Sequence, residues 1–198
     1  DLSKQFQNND EIKKDIDLII SQIERCSEIL KKLTLNPTVE DNFIDRDLTI
    51  VEYVSEIVKS FKETSKKDFI INFDQYSNPL SVTKSIEIVY GLRNFIGNAN
   101  KFSKSKVFIN IKSNNDITEV VIEDDGEGYP KEVLRNIGEP YVKSYKSSIK
   151  SKSGLGLGIF IGKTLLEKNY ANILCRNSLT RNGAEVSIKW KNKDLLNL

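Results

Sequence analysis

The chain has 198 residues, 38% hydrophobic and 29% charged, with 30 basic against 28 acidic side chains. That length suits one mid-sized domain, or one domain plus an appendage, and a net charge of +2 calls for neither a nucleic-acid nor a membrane partner. No apolar run approaches the ~18 residues needed to cross a bilayer, and DLSKQFQNND is not a signal peptide.

The chain contains no histidine, which removes His-based triads, His–metal sites and any histidine acceptor for a phosphoryl group. It also contains no methionine, which we read as a piece of a longer protein beginning at Asp1. Cys26 and Cys175 stand far apart with no CxxC spacing, so a zinc site is not expected and a reducing, cytosolic setting is.

In chain order, the first ten residues are polar. Ile12, Ile16, Ile19, Ile23, Cys26, Leu30 and Leu33 then alternate gaps of four and three, either a heptad seam on one helix that needs a partner helix from another chain or from missing sequence, or an ordinary amphipathic helix packed on its own domain. Asn36–Pro37 ends it. Thr49 and Glu52 have capping-box spacing and open a second helix, whose face is Ile50, Val51, Val54, Ile57, Val58 and Phe61. A short strand is expected from Phe69 to Phe73 and a third helix from about Ser85 to Phe102. Two alternating strands follow, Lys106 to Lys112 and Ile117 to Glu123, joined by a polar turn. After Pro130 come a short helix and a Ser/Lys-dense stretch from Lys143 to Ser153. A helix over Gly156 to Lys168 then leads to strands at Ile173 to Arg176 and Ala184 to Trp190, around a turn at Gly183. Such a mixture predicts an α/β sandwich with one mixed sheet.

Three segments carry chemistry. In NFIGNANKFS, Asn94, Asn98 and Lys101 stand at i, i+4 and i+7 on one helix face, with Ile86, Val89, Ile96 and Ala99 opposite as core. This polar face is either simply solvated, or offers oxygen ligands for a hard divalent ion and a cation for phosphate. In EDDGEGYP, a carboxylate at a strand end is followed by Gly-x-Gly. It is either a solvated turn, or a place where an aspartate accepts from an exocyclic amine while bare backbone lets a ligand approach. In SGLGLGIFIGKTLLE, Gly154, Gly156 and Gly158 feed a helix N-terminus, the usual setting for anion binding by backbone N–H groups. The stretch before it sets Lys143, Lys146, Lys150 and Lys152 against Glu139, and is either a plain loop or a basic lid over a polyphosphate.

In this order the three segments resemble the ATP-binding domain of the GHKL superfamily over about residues 40 to 190. The superfamily includes sensor histidine kinases, DNA gyrase B, MutL and a heat-shock chaperone. NFIGNANKFS stands as its N box, and DDGEG and GLGLG as its two glycine boxes. The resemblance implies a two-layer α/β sandwich of the Bergerat type, with a mixed sheet and helices on one face, binding ATP with Mg²⁺. It implies that Asn98 ligates Mg²⁺ with Asn94 nearby, and that Lys101 meets the phosphates. Asp124 would take the adenine amino group while Gly126 and Gly128 let the base approach. Tyr141 and Lys143, in IGEPYVKS, would line the nucleotide site, and Gly154, Leu155, Gly156 and Leu157 would supply phosphate-binding amides.

ATP-hydrolysing members, and the related anti-sigma serine kinases, place a glutamate base where Asn94 stands, whereas histidine kinases have asparagine there. The resemblance therefore implies the catalytic fragment of a sensor histidine kinase, with an anti-sigma-type regulatory ATP-binding protein as the alternative. A finer likeness is to RegB/PrrB-type redox-sensing kinases, through IGEPYVKS, NGAEVSIKW and QIERCSEIL, where Cys26 stands at the place of a redox-active cysteine. Lys152 departs from the pattern, standing where many kinases have another lid glycine. On this reading residues 1–36 are the second helix of a dimerisation domain whose histidine-bearing first helix is missing, and 37–198 are the ATP-binding domain. The expected partners are a response regulator and a second copy paired through the N-terminal helix. The expected setting is the cytoplasmic part of an inner-membrane sensor, unable to phosphorylate itself as this fragment.

Overall fold

The computed structural model describes residues 48–74, 81–82, 85–142 and 156–195, all within one unit, Asp41–Leu198. The expected seam helix with Cys26, and Lys143, Gly154 and Leu155 of the Ser/Lys-rich stretch, lie outside the described residues.

The described elements are β1 (Leu48–Thr49), α1 (Ile50–Lys62), β2 (Asp68–Phe73), β3 (Ser81–Val82), α2 (Ile86–Phe102), β4 (Lys106–Ser113), β5 (Ile117–Asp124), α3 (Lys131–Arg135), α4 (Gly158–Lys168), β6 (Asn172–Asn177), β7 (Ala184–Lys191) and α5 (Asn192–Leu195). Five strands form one mixed sheet in the order β2-β4-β5-β7-β6. β2 and β4 run parallel, and every other neighbouring pair is antiparallel. Val107, Ile109 and Ile111 of β4, Val120 and Ile122 of β5, and Val186, Ile188 and Trp190 of β7 are all buried. Their period of two puts them on one face, under the helices, while the residues between them face away. The fold is the expected α/β sandwich.

Helix α1 begins as its sequence predicts. Thr49 N–H donates to Glu52 Oε2 at 2.8 Å and Glu52 N–H donates to Thr49 Oγ1 at 3.2 Å, a reciprocal capping box. Its buried face adds Tyr53, fully enclosed, to the expected aliphatics. On α2 one expectation fails. Ile86, at the first helical position, is 48% exposed, and the core is instead carried by Ile88, Leu92 and Phe95 with Val89, Ile96 and Ala99. The two-residue pairing of β1 with β3 and the terminal turn α5 carry no pattern long enough to be read in the sequence.

α2 and α4 pack antiparallel through a ladder of glycines. A β-carbon on Gly91 would strike Leu166, one on Gly162 would lie 2.9 Å from the Phe95 ring, and one on Gly158 would lie 3.0 Å from the Asn98 carboxamide. Bare backbone at these levels is what brings the start of α4 against the polar residues near the end of α2.

Candidate functional site

The polar residues converge at one end of the sheet. β5 ends at Asp124, whose side chain is buried. Its Oδ1 accepts from the Gly126 N–H at 2.8 Å and from the Ala184 N–H at 3.3 Å. Among the described residues Oδ2 has no hydrogen-bond partner, so one oxygen is fixed by backbone and the other remains to accept from a ligand. Burial raises the Asp124 carboxyl above the usual carboxylate range, with the Gly126 and Ala184 amides opposing and neighbouring Asp125 adding to the rise.

The adjacent carboxylate does a different job. Asp125 accepts from the Lys104 and Ser105 amides at 2.8 and 2.9 Å and from the Ser105 hydroxyl at 2.6 Å. Burial opposes its ionisation, but the Ser105 hydroxyl and the Ser105, Lys106 and Lys104 amides together hold it well below the usual range. Asp125 thus closes the turn from α2 to β4. Lys67 closes the same turn from the other side, its ammonium donating to the Ser103 and Lys104 carbonyls. Of the two aspartates, only Asp124 is arranged for a ligand.

Around Asp124 the chain is stripped of side chains. A β-carbon on Gly126 would lie 2.5 Å from the Phe102 carbonyl oxygen, and one on Gly183 would collide with the Asp124 carbonyl. Gly128 has φ +73 and lies against Asn177, so it needs both left-handed backbone and space. The Asn177 carboxamide holds this loop in both directions, accepting from Tyr129 N–H at 2.6 Å and donating to Tyr129 carbonyl at 3.1 Å. Asn177, Gly183 and Phe102 were not among the candidates from the sequence. They lie far from EDDGEGYP in the chain, and only the β5–β7–β6 ladder brings Asn177 and Gly183 to it.

One helical turn before Phe102, Asn98 faces Gly158 at the start of α4. Its Nδ2 is buried and has no hydrogen-bond partner among the described residues. The unpaired N–H donor suits a phosphate oxygen, and the carbonyl oxygen of the same carboxamide is the atom that suits a hard divalent ion. Asn94 is less available: its Nδ2 donates to the Tyr90 carbonyl at 2.8 Å, and its β-carbon lies beside Gly162. Lys101 is half-buried, with its ammonium 5.2 Å from the Phe102 ring centroid.

Helix α4 begins at Gly158, two residues later than expected, because Gly156 takes φ +71 and Leu157 is its N-cap. Leu157 is buried and caps with no side chain. α1 and α2 each have a side-chain cap and an acidic residue in the first turn, whereas α4 has neither. The first-turn amides of α4 therefore add to the phosphate-binding candidates. A β-carbon on Gly156 would strike the Val142 carbonyl, and Tyr141 just before takes φ +64. Tyr141 and Gly156 are thus brought together across the segment that separates them, beside the start of α4.

This arrangement has relatives. Residues 83–194 match the family described as histidine kinase-, DNA gyrase B- and HSP90-like ATPase. The chain belongs to this family. Sensor histidine kinase RegB of Cereibacter sphaeroides is 30% identical over 96% of this chain and 45% of that protein. The mycobacterial sensor histidine kinase MprB superposes with a TM-score of 0.61 at 19% identity, over 74% of this chain and 97% of that one. Full-length ShkA in complex with AMPPNP superposes with a TM-score of 0.58 at 20% identity, over 73% of this chain and 30% of that one. The chain spans less than half the length of the curated relatives it matches. Its fold is that of histidine kinase catalytic domains in this ATP-binding family, and among the described residues no helix is long and apolar enough to cross a membrane.

Proposed function

We propose that this chain is the ATP-binding catalytic part of a sensor histidine kinase, handing the γ-phosphoryl group to a histidine elsewhere in the protein and from there to a response regulator. The carrying observation is Asn94. It lies one turn before Asn98, where hydrolysing relatives would have a glutamate, and its amide is bonded back onto α2. From Tyr90 to Lys101 the helix bears no carboxylate that could take a proton from water. A site that grips ATP without activating water is suited to transfer and poor at hydrolysis. The same residue weighs against the anti-sigma serine-kinase alternative.

On this reading Asp124 Oδ2 accepts the adenine amino hydrogen, and Gly126, Gly128 and Gly183 leave room for the base. The α4 amides and Lys101 take the phosphates, with Lys143, Gly154 and Leu155 supplying the lid side. The Asn98 carboxamide would hold Mg²⁺, which supplies charge neutralisation to the phosphates when bound. Mg²⁺ ordinarily keeps water and phosphate oxygens as most of its ligands, so one protein oxygen suffices. Phosphoryl transfer depends chiefly on positioning and electrostatics, which is what these residues provide.

We extend the proposal to the N-terminal part. Residues 1–36 would be the second helix of a dimerisation domain, pairing with a second copy, in the cytoplasmic portion of an inner-membrane sensor. The RegB likeness supports Cys26 as a redox-sensitive thiol there. The decisive experiment incubates the chain with γ-labelled ATP and Mg²⁺, alone and with a histidine-bearing dimerisation domain supplied in trans. Acid-labile label on that domain is expected; steady phosphate release by the chain alone, without transfer, would replace the kinase reading with an ATPase.

A further inference from the structure

The face of the sheet turned away from the helices carries an ion cluster directly behind the candidate adenine pocket. Glu123 precedes Asp124 on β5, so the two side chains project from opposite faces at one level of the sheet. Across the ladder Glu123 stands directly opposite Phe108 on β4 and Glu185 on β7, and Glu185 in turn opposite Arg176 on β6. Two carboxylates directly opposed in neighbouring strands repel. Each has its own guanidinium: Arg176 lies 2.6 Å from Glu185, and Arg181 Nε lies 3.6 Å from Glu123.

Arg181 belongs to the turn 178–183, between β6 and β7. Its guanidinium carbon sits 3.5 Å from the centroid of the Phe108 ring, a cation–π contact that reaches across β5. Glu123 also accepts from the Ser178 hydroxyl at 2.7 Å and the Thr180 hydroxyl at 3.3 Å. Buried at 8% exposure, it gathers three side chains of one turn. The turn closes on itself through Ser178 N–H to the Gly183 carbonyl at 2.8 Å, with Asn182 at φ +60. Its two ends are the groups that build the pocket: Asn177 holds the Gly128–Tyr129 loop, while Gly183 presses on Asp124 and Ala184 N–H bonds Asp124 Oδ1.

We propose that Glu123, Arg181 and Phe108 form a clamp on the far face of the sheet whose task is to set the orientation of Asp124, and so the selectivity for adenine. These are positioning residues; none of them meets the nucleotide. The inference rests on the ATP-binding reading above. The clamp fixes the 178–183 turn, and the turn fixes the Ala184 amide, which holds one carboxylate oxygen of Asp124 so that the other points at the base, while Asn177 at its other end holds the Gly128–Tyr129 loop alongside. A loosened clamp lets Asp124 turn, costing the adenine contact more than the phosphate contacts.

The test compares ATP and GTP affinity, by calorimetric titration with Mg²⁺, in the wild-type chain, Arg181→Ala, Arg181→Lys, Phe108→Leu and Asp124→Asn. Thermal melting is followed in each. Arg181→Ala should weaken ATP by about three- to thirty-fold, the range in which a side chain acting through others modulates binding, with GTP much less affected. Arg181→Lys should recover part of the loss by keeping a cation on Glu123, and Phe108→Leu should reproduce part of it with the charge intact. If Arg181→Ala and Phe108→Leu fold and keep the wild-type ATP affinity and ATP-to-GTP ratio, the clamp is overturned while ATP binding stands. An equal loss for ATP and GTP overturns it too, since that marks general loosening. A wild-type chain that binds no ATP overturns the underlying nucleotide reading instead.

Discussion

At the scale of single residues, Asp124 and Asp125 show how neighbouring carboxylates acquire different roles. Asp125 is satisfied by amides and a hydroxyl and serves the turn, while Asp124 is buried with one oxygen unmet. Because burial raises the folded-state pKa of Asp124, its contribution favours folding below the ordinary carboxylate value and is lost as pH rises through the raised one. At neutral pH its charge therefore opposes folding. Asp124→Asn keeps the Oδ1 acceptor for Gly126 and Ala184 and removes the charge. We expect it to melt no lower than wild type at pH 7, and to lose that advantage at pH 3 to 4. ATP affinity should meanwhile fall by roughly ten- to a hundred-fold, the cost of a charge-assisted hydrogen bond. Melting curves at both pH values and one titration check this, and a variant that is both less stable at pH 7 and undiminished in ATP binding would contradict it. Asp124, Gly126, Gly128 and Asn98 stood out as candidates because their signals are local, a strand end before Gly-x-Gly and an i, i+4 pair, although only the family resemblance gave them roles. Asn177 and Gly183 were not, since no short-range pattern says what a distant strand will deliver.

At the scale of elements, the packing of α2 on α4 sets the relation of Asn98 to the phosphate-side amides. Both helices were legible in the sequence, but of their glycines only Gly158 was singled out there, as part of the phosphate-binding run. In the structure Gly91 and Gly162 lie at the helix–helix contact, far from any loop. The distinction is testable with two substitutions of the same chemistry. In Gly91→Ala the new methyl meets Leu166 Cδ2 at 2.5 Å, and Leu166 is fully buried with nowhere to swing. Overpacking of about 1–3 kcal/mol outweighs the roughly 1 kcal/mol gained by removing a helix-interior glycine. In Gly97→Ala, only three residues from Asn94, the methyl meets the Phe61 ring edge at 3.2 Å, which a small ring shift relieves. Denaturant unfolding should show Gly91→Ala destabilised and Gly97→Ala unchanged or more stable. The reverse order would mean that the two helices do not meet as described.

For the described domain as a whole, the sheet separates a working end from a structural end. Asp124, Gly126 and Gly183 cluster where β5 finishes. Where β5 begins, a different polar network closes the fold. The Thr118 hydroxyl donates to Asn192 Oδ1 at 2.8 Å and is paired with the Ser113 hydroxyl at 2.8 Å, while Asn192 Nδ2 donates to the Asn114 carbonyl at 2.6 Å. The Ser113, Thr118 and Asn192 side chains of this network are buried, and it was invisible in the sequence, where Ser113 and Asn192 look like ordinary turn residues and Thr118 like an ordinary strand residue. Six residue steps along β5, about 20 Å at ~3.3 Å each, separate Thr118 from Asp124. Sites that far apart with no shared partner contribute nearly independently. Asn192→Ala leaves the buried Thr118 hydroxyl short of its acceptor, at a cost of about 1–3 kcal/mol, or roughly 2–4 °C in melting temperature per kcal/mol. The single tryptophan, Trp190, is fully buried and pairs with Thr118 across the ladder, so its fluorescence reports unfolding from within this end. We expect Asn192→Ala to shift the Trp190 unfolding curve to lower temperature while the ATP dissociation constant of the folded fraction stays within about two-fold of wild type. A loss of ATP affinity as large as that of Asp124→Asn would show that the two ends act as one cooperative unit.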